Sequence, residues 1–438
     1  MRYRDLLLIC AILFSHQFLV AQKNLSKPNI IYIMADDLGY ADLSCYGRKD
    51  YKTPNLDKLC SQGAKFLQAY AAAPLCTPTR TAFMTGRYPA HLPVGLREPL
   101  VWTPKDTTLG LSNFPTLPLL LKNAGYETFL VGKWHLGFLP EYGPLKNGYD
   151  NFFGFHGGAV DYFTHTTAQG DADLYENEKP IKLEGYATEL WADKAVEIIN
   201  RKHSKPFFLS VMFNAPHWPW QAPDGKPYPK SFEEWHKNGS QEIFARMMKS
   251  LDSAVGRIVK AIDDLHLEKN TVIIFTSDNG GDDYSDNGIY KGSKGGLWEG
   301  GIHEPAFMRW TGKIHAGIVT NQVITTMDWT ATILSIAGAK ADSKYPLEGI
   351  NIMSIVTGKR KEVERTLYWR VFQRVKHKAA RDGKWKWLQD EKGNEYLFDL
   401  TLDPAEKNNI KEKFPEVFIR LKAKFGEWEK TVLAPVPL

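Results

Sequence analysis

The stretch Asn29-Ile-Ile-Tyr-Ile-Met-Ala35, running directly into Asp36-Asp37-Leu38-Gly39, decides the architecture. An uncharged run rich in β-branched and aromatic side chains has no wet face to offer, so it reads as a strand buried on both sides. Three further runs read the same way: Thr128-Phe-Leu-Val131, Phe207-Phe-Leu-Ser-Val-Met-Phe213 and Thr271-Val-Ile-Ile-Phe-Thr276. Between them, apolar residues recur at helical spacing over 188–200 (Leu190, Trp191, Ala195, Ile198, Ile199) and over 243–265. Strands alternating with helices predict an α/β layer: a large, mostly parallel sheet flanked by helices. Past the loop at 339–346 the pattern changes. Thr366-Leu-Tyr-Trp-Arg-Val-Phe372, Trp385-Lys-Trp-Leu388 and Tyr396-Leu-Phe-Asp399 predict a small antiparallel sheet, followed by a helix over 415–428. The expected organisation is a leader at 1–21, an α/β domain at 22–340 and a smaller α+β subdomain at 341–438 packed against it.

Composition narrows the class. A chain of 438 residues that is 43% hydrophobic and 24% charged is not disordered. Its 35 Gly show no three-residue period and its 25 Pro leave no heptads, which excludes collagen-like and coiled-coil chains. The net charge of +5, from 55 basic and 50 acidic residues, is too even for a nucleic-acid footprint. Arg2 and Arg4, the apolar run Leu6 to Phe14 and the close Leu19-Val20-Ala21 have the form of a signal peptide, too short for a comfortable membrane span. Ile9 before Cys10 is too bulky for a lipoprotein cut, so no stable membrane anchor is expected. The protein is expected to be exported, periplasmic or secreted. Cleavage would leave Cys45, Cys60 and Cys76, which is no disulfide scaffold. A Cys45–Cys60 bridge stays open, and Cys76 is the odd thiol.

Each apolar run ends in a polar cluster: Asp36-Asp37-Leu38-Gly39, Gly132-Lys133-Trp134-His135-Leu136-Gly137, Asn214-Ala215-Pro216-His217 and Ser277-Asp278-Asn279-Gly280-Gly281. Ligands of open α/β sheets gather at the carboxyl ends of strands. One such cluster is readily explained as a helix cap. Four at equivalent positions point to a site. Asp36, Asp37, Asp278 and Asn279 are hard oxygen donors, which favours Ca²⁺ or Mg²⁺ over Zn²⁺. Lys133 and His135, two apart, point the same way if the segment is extended. Lys133 beside a metal suits a tetrahedral oxyanion, and His135 and His217 are the candidates for acid and base.

The segment Cys76-Thr77-Pro78-Thr79-Arg80, continuing to Thr85-Gly86-Arg87, carries the sharpest signal. With the strand-end clusters above, with Thr53-Pro54-Asn55-Leu56-Asp57, with Lys294-Gly295 and Trp298-Glu299-Gly300-Gly301, and with Leu397-Phe-Asp399 to Asp403-Pro404-Ala-Glu406, it resembles the type I sulfatases. These are the formylglycine-dependent branch of the alkaline-phosphatase superfamily, so the resemblance implies an alkaline-phosphatase-like fold. It implies that Cys76 is oxidised to formylglycine (3-oxoalanine) by a formylglycine-generating maturase. It implies Ca²⁺, in preference to Mg²⁺, held by Asp36, Asp37, Asp278, Asn279 and residue 76. Lys133 and Lys294 would hold the sulfate, Arg80 would steady the hydrated aldehyde, His217 would protonate the leaving alcohol and His135 would accept the proton that lets sulfate go.

Two positions depart from the family pattern. Thr79 stands where Ser is commoner, and His303 follows Glu299-Gly-Gly-Ile302 where many relatives carry Arg. Candidate substrate contacts lie between the motifs: His156, Asp161, Tyr162 and His165, then Trp218 and Trp220, with His303 added for its position. An exported enzyme with 13 Trp and 19 Tyr suits a sulfated carbohydrate. Two other readings keep the same fold: a phosphomonoester or phosphonate-ester hydrolase, and a non-catalytic glycan-binding protein. A plain Cys–His hydrolase would use Cys76 directly but leaves Pro-x-Arg and the acidic cluster unexplained.

Overall fold

The computed structural model describes residues 27–101, 108–111 and 114–436; the leader expected at 1–21, with Cys10, lies outside them. Its large sheet is built from β1 (Asn29–Asp36), β2 (Ala64–Tyr70), β3 (Glu127–Lys133), β4 (Asn151–Phe155), β5 (Tyr175–Glu176), β6 (Lys179–Pro180), β7 (Phe207–Pro216), β8 (Thr271–Ser277), β9 (His303–Arg309), β10 (Ile318–Thr320) and β11 (Ile324–Thr325). The order is β10-β2-β9-β8-β1-β7-β3-β4-β5-β6, with β11 also on β2. β1 runs parallel to β7 and β8, and β3 runs parallel to β7 and β4, so the centre of the sheet is parallel. The flanks are mixed, since β9 is antiparallel to β2 and β8, and β5 to β4. The four expected strands are β1, β3, β7 and β8. Every residue of β1, β7 and β8 is buried, as their unbroken apolar character required.

Helices cover both faces. On one, Ala187–Asn200 and Gln241–Asp264 pack over Ile31, Ile33, Val211 and Phe275. The longer helix starts where the Ser240 side chain accepts a hydrogen bond from the Ile243 N–H. It buries Phe244, Met248, Leu251, Val255, Ile258 and Ile262, three or four residues apart. Each such side chain contributes roughly 1.5–3 kcal/mol by leaving water. On the other face, Cys76–Thr85, Leu117–Asn123 and Thr326–Ala337 pack over Ile30, Tyr32, Leu130 and Ile274. Among the described residues no helix is long and apolar enough to cross a membrane.

The small antiparallel sheet follows in the order β12 (Thr366–Val371), β13 (His377–Asp382), β14 (Trp385–Gln389) and β15 (Glu395–Asp399), ahead of a helix at Pro415–Glu429. β13 was not among the expected strands. Its His377-Lys-Ala-Ala-Arg-Asp382 has little β-branched character, and it is recruited by the tight turn into β14.

A buried polar knot joins the small sheet to the large one. The Glu299 carboxylate accepts from the Tyr70 hydroxyl at 2.5 Å and from Lys386 Nζ at 2.8 Å. Lys386 also lies 2.8 Å from Glu406, whose other oxygen accepts the Glu299 N–H at 2.6 Å. His303 completes the knot: it is 0% exposed, with Nδ1 3.2 Å from Glu299 and Nε2 2.9 Å from the Leu67 carbonyl. Its ring stacks on Tyr70 and Tyr290. The His303 side chain, entertained as a substrate contact, is therefore enclosed between the sheets. Lys386→Ala should destabilise the fold by about 3–5 kcal/mol, because it leaves two buried carboxylates without their cation. Denaturant melts of the purified variant measure this, and a loss below about 1 kcal/mol would contradict it.

Candidate active site

Parallel pairing brings the four strand ends to one edge. Ala35 is in register with Ser277 and Asp36 with Pro216, so the residues that follow β1, β7 and β8 emerge side by side. The helix Cys76–Thr85 starts at the same edge, with Cys76 as its first residue. Cys76 is 1% exposed, and its Sγ lies 3.4 Å from Asp36 Oδ1. Arg80, one turn later, projects from the same face. Its Nη2 lies 2.9 Å from Asp278 Oδ2 and 3.6 Å from Asp36 Oδ1. The spacing within Cys-x-Pro-x-Arg is thus a helical one. Thr79 turns the other way, its hydroxyl donating to the Ala73 carbonyl at 2.8 Å, a bond that serine would also make.

The acidic residues are tightly interleaved with cations. Lys133 Nζ lies 2.6 Å from Asp36 Oδ2, and Lys294 Nζ 2.6 Å from Asp37 Oδ2. Asn279 Nδ2 donates to Asp37 Oδ1 at 2.7 Å, and the Asp37 N–H donates to Asp278 Oδ1 at 3.2 Å. Ligand atoms of Asp36, Asp37, Cys76 and His217 all lie within 4.8 Å of one another. His217 Nε2 approaches Asp37 Oδ2 to 3.5 Å, so it joins the acidic group itself. Asp278 stands slightly apart, committed to Arg80 and the Asp37 N–H.

Burial shapes the protonation of this cluster. It pushes Asp36 up to about 8, aided by the charge of Asp278 and opposed by Lys133 and Arg80. Asp37 is also raised, by burial first, against the pull of Lys294. For Asp278 burial is outweighed by Arg80 and Lys133, which hold it down at about 2. Burial and the neighbouring Asp36 raise the Cys76 thiol well above its ordinary range. A plain Cys–His hydrolase pairs its thiol with an imidazole, whereas the Cys76 thiol is paired with the Asp36 carboxylate.

A cation does fit. The buried oxygen Asn279 Oδ1 has no hydrogen-bond partner among the described residues, although Asn279 Nδ2 has two. The carboxylates of Asp36, Asp37 and Asp278 are matched one for one by Lys133, Lys294 and Arg80. Two further positive charges from a divalent ion would make the cluster receptive to an anion. The donors are predominantly carboxylate and amide oxygens, the set preferred by Ca²⁺ and Mg²⁺.

Both histidines are buried and held in one tautomer. His135 Nε2 lies 2.8 Å from the Leu100 carbonyl and must donate to it, leaving Nδ1 as an acceptor without a partner among the described residues. His217 Nδ1 lies 2.5 Å from the Trp218 carbonyl and donates there, leaving Nε2 toward the acidic group. Burial lowers both well below the ordinary histidine range, reinforced by Lys133 at His135 and by Lys294 and Lys133 at His217. The segment after β3 is not extended as anticipated. β3 ends at Lys133, and His135 adopts a left-handed φ of 57°. Asp37 does so too, at 63°. Neither is glycine, and each such residue costs on the order of 1–3 kcal/mol, strain that concentrates at functional sites.

Several supporting residues escaped the sequence reading. Thr77 donates its hydroxyl to the His135 carbonyl and accepts from the Leu100 N–H, both at 3.1 Å, so it clamps the segment that fixes the imidazole. Gly158 leaves room for that ring: a Cβ there would lie 2.7 Å from His135 Cε1. Asp42 accepts from the Gly39 and Asp286 N–H groups at 2.7 and 2.8 Å, tying the loop after β1 to the loop after β8. Only a spacing to these loops could have marked Asp42, and nothing in one chain marks Gly158.

The expected substrate contacts separate into two kinds. Trp218 is partly exposed beside His217, their ring centroids 4.5 Å apart. The rest are buried. His156 lies against Tyr175 and Asp173, and His165 near Trp191. Tyr162 donates to the carbonyls of Asn214 and His217, both at 2.9 Å. Asp161 accepts from Gln221 Nε2 at 2.6 Å and from the Tyr228 N–H at 2.9 Å. Trp220 packs edge-on to Tyr284. These bonds make Asp161 and Tyr162 supports of the segment after β7 instead of open contacts.

A family model described as Sulfatase matches residues 28–339, and one described as N-sulphoglucosamine sulphohydrolase, C-terminal, matches residues 291–431. The chain is 30% identical to arylsulfatase J of Mus musculus, over 93% of this chain and 77% of that protein. It is 33% identical to the N-acetylgalactosamine-6-sulfatase of Canis lupus familiaris, over 78% of this chain and 68% of that protein. The solved structure of Ps i-CgsB in complex with k-i-k-neocarrahexaose superposes with a TM-score of 0.82 at 30% identity, covering 94% of this chain and 95% of the other.

Proposed function

This chain belongs to the type I sulfatase family of the alkaline-phosphatase superfamily and is a sulfuric ester hydrolase, and we propose that it removes sulfate from a carbohydrate using a formylglycine made from Cys76 and a bound Ca²⁺. The observation that carries this reading is the convergence of Cys76, Asp36, Asp37 and His217 within 4.8 Å, with Lys133 and Lys294 resting on the carboxylates. Support for a carbohydrate substrate comes from relatives named for N-acetylgalactosamine 6-sulfate and from a neighbour crystallised with a neocarrahexaose. We further propose export through the leader at 1–21 and maturation by a formylglycine-generating enzyme.

Asp36, Asp37, Asp278 and Asn279 would hold the cation, whose charge would draw the oxygens of the sulfate group. Formylglycine, as its hydrate, would supply one hydroxyl to attack sulfur and a second whose ionisation expels the product. Lys133 and Lys294 then turn from the carboxylates toward the sulfate oxygens, offsetting the charge that gathers there in the transition state. Arg80, held by Asp278, keeps a fixed positive charge beside residue 76. His135 is neutral with Nδ1 open, which suits it to accept the proton of the second hydroxyl. His217 Nε2 needs a proton to give to the leaving oxygen. Burial depresses its affinity for one, and the charges of Lys294 and Lys133 add to that; a bound sulfate ester offsets part of the lysine charge and so favours the protonated form of His217.

Two measurements on protein made with the maturase test the reading. Peptide mass spectrometry across position 76 should find the aldehyde; thiol alone overturns the formylglycine assignment. Chelation should remove sulfate release, and Ca²⁺ should restore it. A preparation that turns over aryl phosphate faster than aryl sulfate would favour the phosphoester reading instead.

A further inference from the structure

We infer that the exposed ring of Phe232, buttressed by Trp218 and His236, stacks on a pyranose ring of the departing saccharide, a binding surface on the leaving-group side of the site. The inference rests on the carbohydrate reading above and extends it to named residues. Trp218 directly follows His217, the residue assigned above to protonate the leaving oxygen. From the His217 ring the aromatic cluster continues to Trp218 at 4.5 Å, which meets Phe232 edge-on at 5.1 Å and 75° and His236 at 4.2 Å and 44°. Phe232 and His236 also touch each other at 4.6 Å, one helical turn apart on Phe232–Lys237. Phe232 is 58% exposed, and Trp218 and His236 are partly exposed.

Core packing accounts for the neighbouring Trp235, which is 1% exposed and donates Nε1 to the Pro229 carbonyl. It does not account for Phe232, whose ring stands in water next to two other aromatic side chains. A pyranose presents a face of C–H bonds with a slight positive charge, complementary to the negative face of an aromatic ring. The platform is rigid enough to be selective. The Ser231 side chain caps the helix by accepting the Glu234 N–H. The Tyr228 hydroxyl donates to the carbonyls of Trp220 and Asn238, and the Tyr228 N–H is held by Asp161. Asp161 and Tyr162 thereby acquire a part in substrate choice: Tyr162 fixes the backbone at His217, and Asp161 fixes the segment that delivers Phe232.

The test uses matured full-length enzyme and two sets of probes: sulfated neocarra-oligosaccharides and 6-sulfated N-acetylgalactosamine on one side, ethyl sulfate on the other. Ethyl sulfate has no ring to stack. In Phe232→Ala the ratio of kcat/KM for the best saccharide over that for ethyl sulfate should fall about tenfold, chiefly through KM, as loss of one aromatic contact would give. Phe232→Trp should restore most of it, which recovery of fold alone would not do. Equilibrium binding of the same saccharide to Cys76→Ala, with and without Phe232→Ala, should weaken by a similar factor without any turnover. A ratio that stays within about twofold of the parent in Phe232→Ala overturns the platform and leaves the carbohydrate reading standing. A parent enzyme that cleaves ethyl and aryl sulfates but none of the saccharides overturns both.

Discussion

Cys76→Ala should lower sulfate release from every ester by roughly 10⁴-fold or more, the scale on which removing a nucleophile acts, while the folded chain survives. The side chain is small and buried at the start of a helix, so the lost packing should cost only about 1 kcal/mol. Cys76→Ser separates nucleophilic attack from release. A serine oxygen can attack sulfur, but it has no second hydroxyl to ionise and drive the sulfate off. The Cys76→Ser enzyme should therefore take up at most one sulfo group per chain, visible as a covalent adduct in the intact mass, and then stop. Continued turnover by Cys76→Ala, beyond that of a mock preparation, would remove position 76 from the chemistry.

His217→Ala should show the second large effect, and the effect should depend on the leaving group. Removing a general acid commonly costs about 10²–10⁴-fold when the departing oxygen is a poor leaving group, as in a sugar or alkyl sulfate. An aryl sulfate with an acidic phenol leaves without help, so its rate should fall by no more than about tenfold. Comparing the two losses in one variant isolates proton donation from general damage to the site, because damage would lower both alike. Equal losses for both esters would instead give His217 a binding part, in keeping with its 3.5 Å approach to Asp37.

The sequence determined the layered α/β architecture and the chemical make-up of the site. Strand cores such as Asn29–Ala35 are buried on both faces, and hydrophobic composition alone specifies that. The expectation that Asp36, Lys133, His217 and Asp278 lie at one edge followed from parallel strands, whose carboxyl ends must coincide. β13 escaped because its side chains carry little strand character of their own; neighbouring strands and a turn impose its conformation.

What the chain alone left open depended on contacts between residues far apart in sequence. Cys45 and Cys60 are one case: both are free thiols, which no spacing could tell. His303 is another. Its place after Gly300-Gly301 resembled a ligand position, and only the closure of the small sheet over Tyr70, through Glu299 and Lys386, enclosed it. The conversion of Asp161 and Tyr162 from contacts into supports has the same origin, since their partners Tyr228 and His217 lie tens of residues away. Residue type and local period are short-range properties that a sequence displays directly. Burial, protonation and the direction a side chain faces depend on which distant groups exclude water from it, and the assembled tertiary structure decides those.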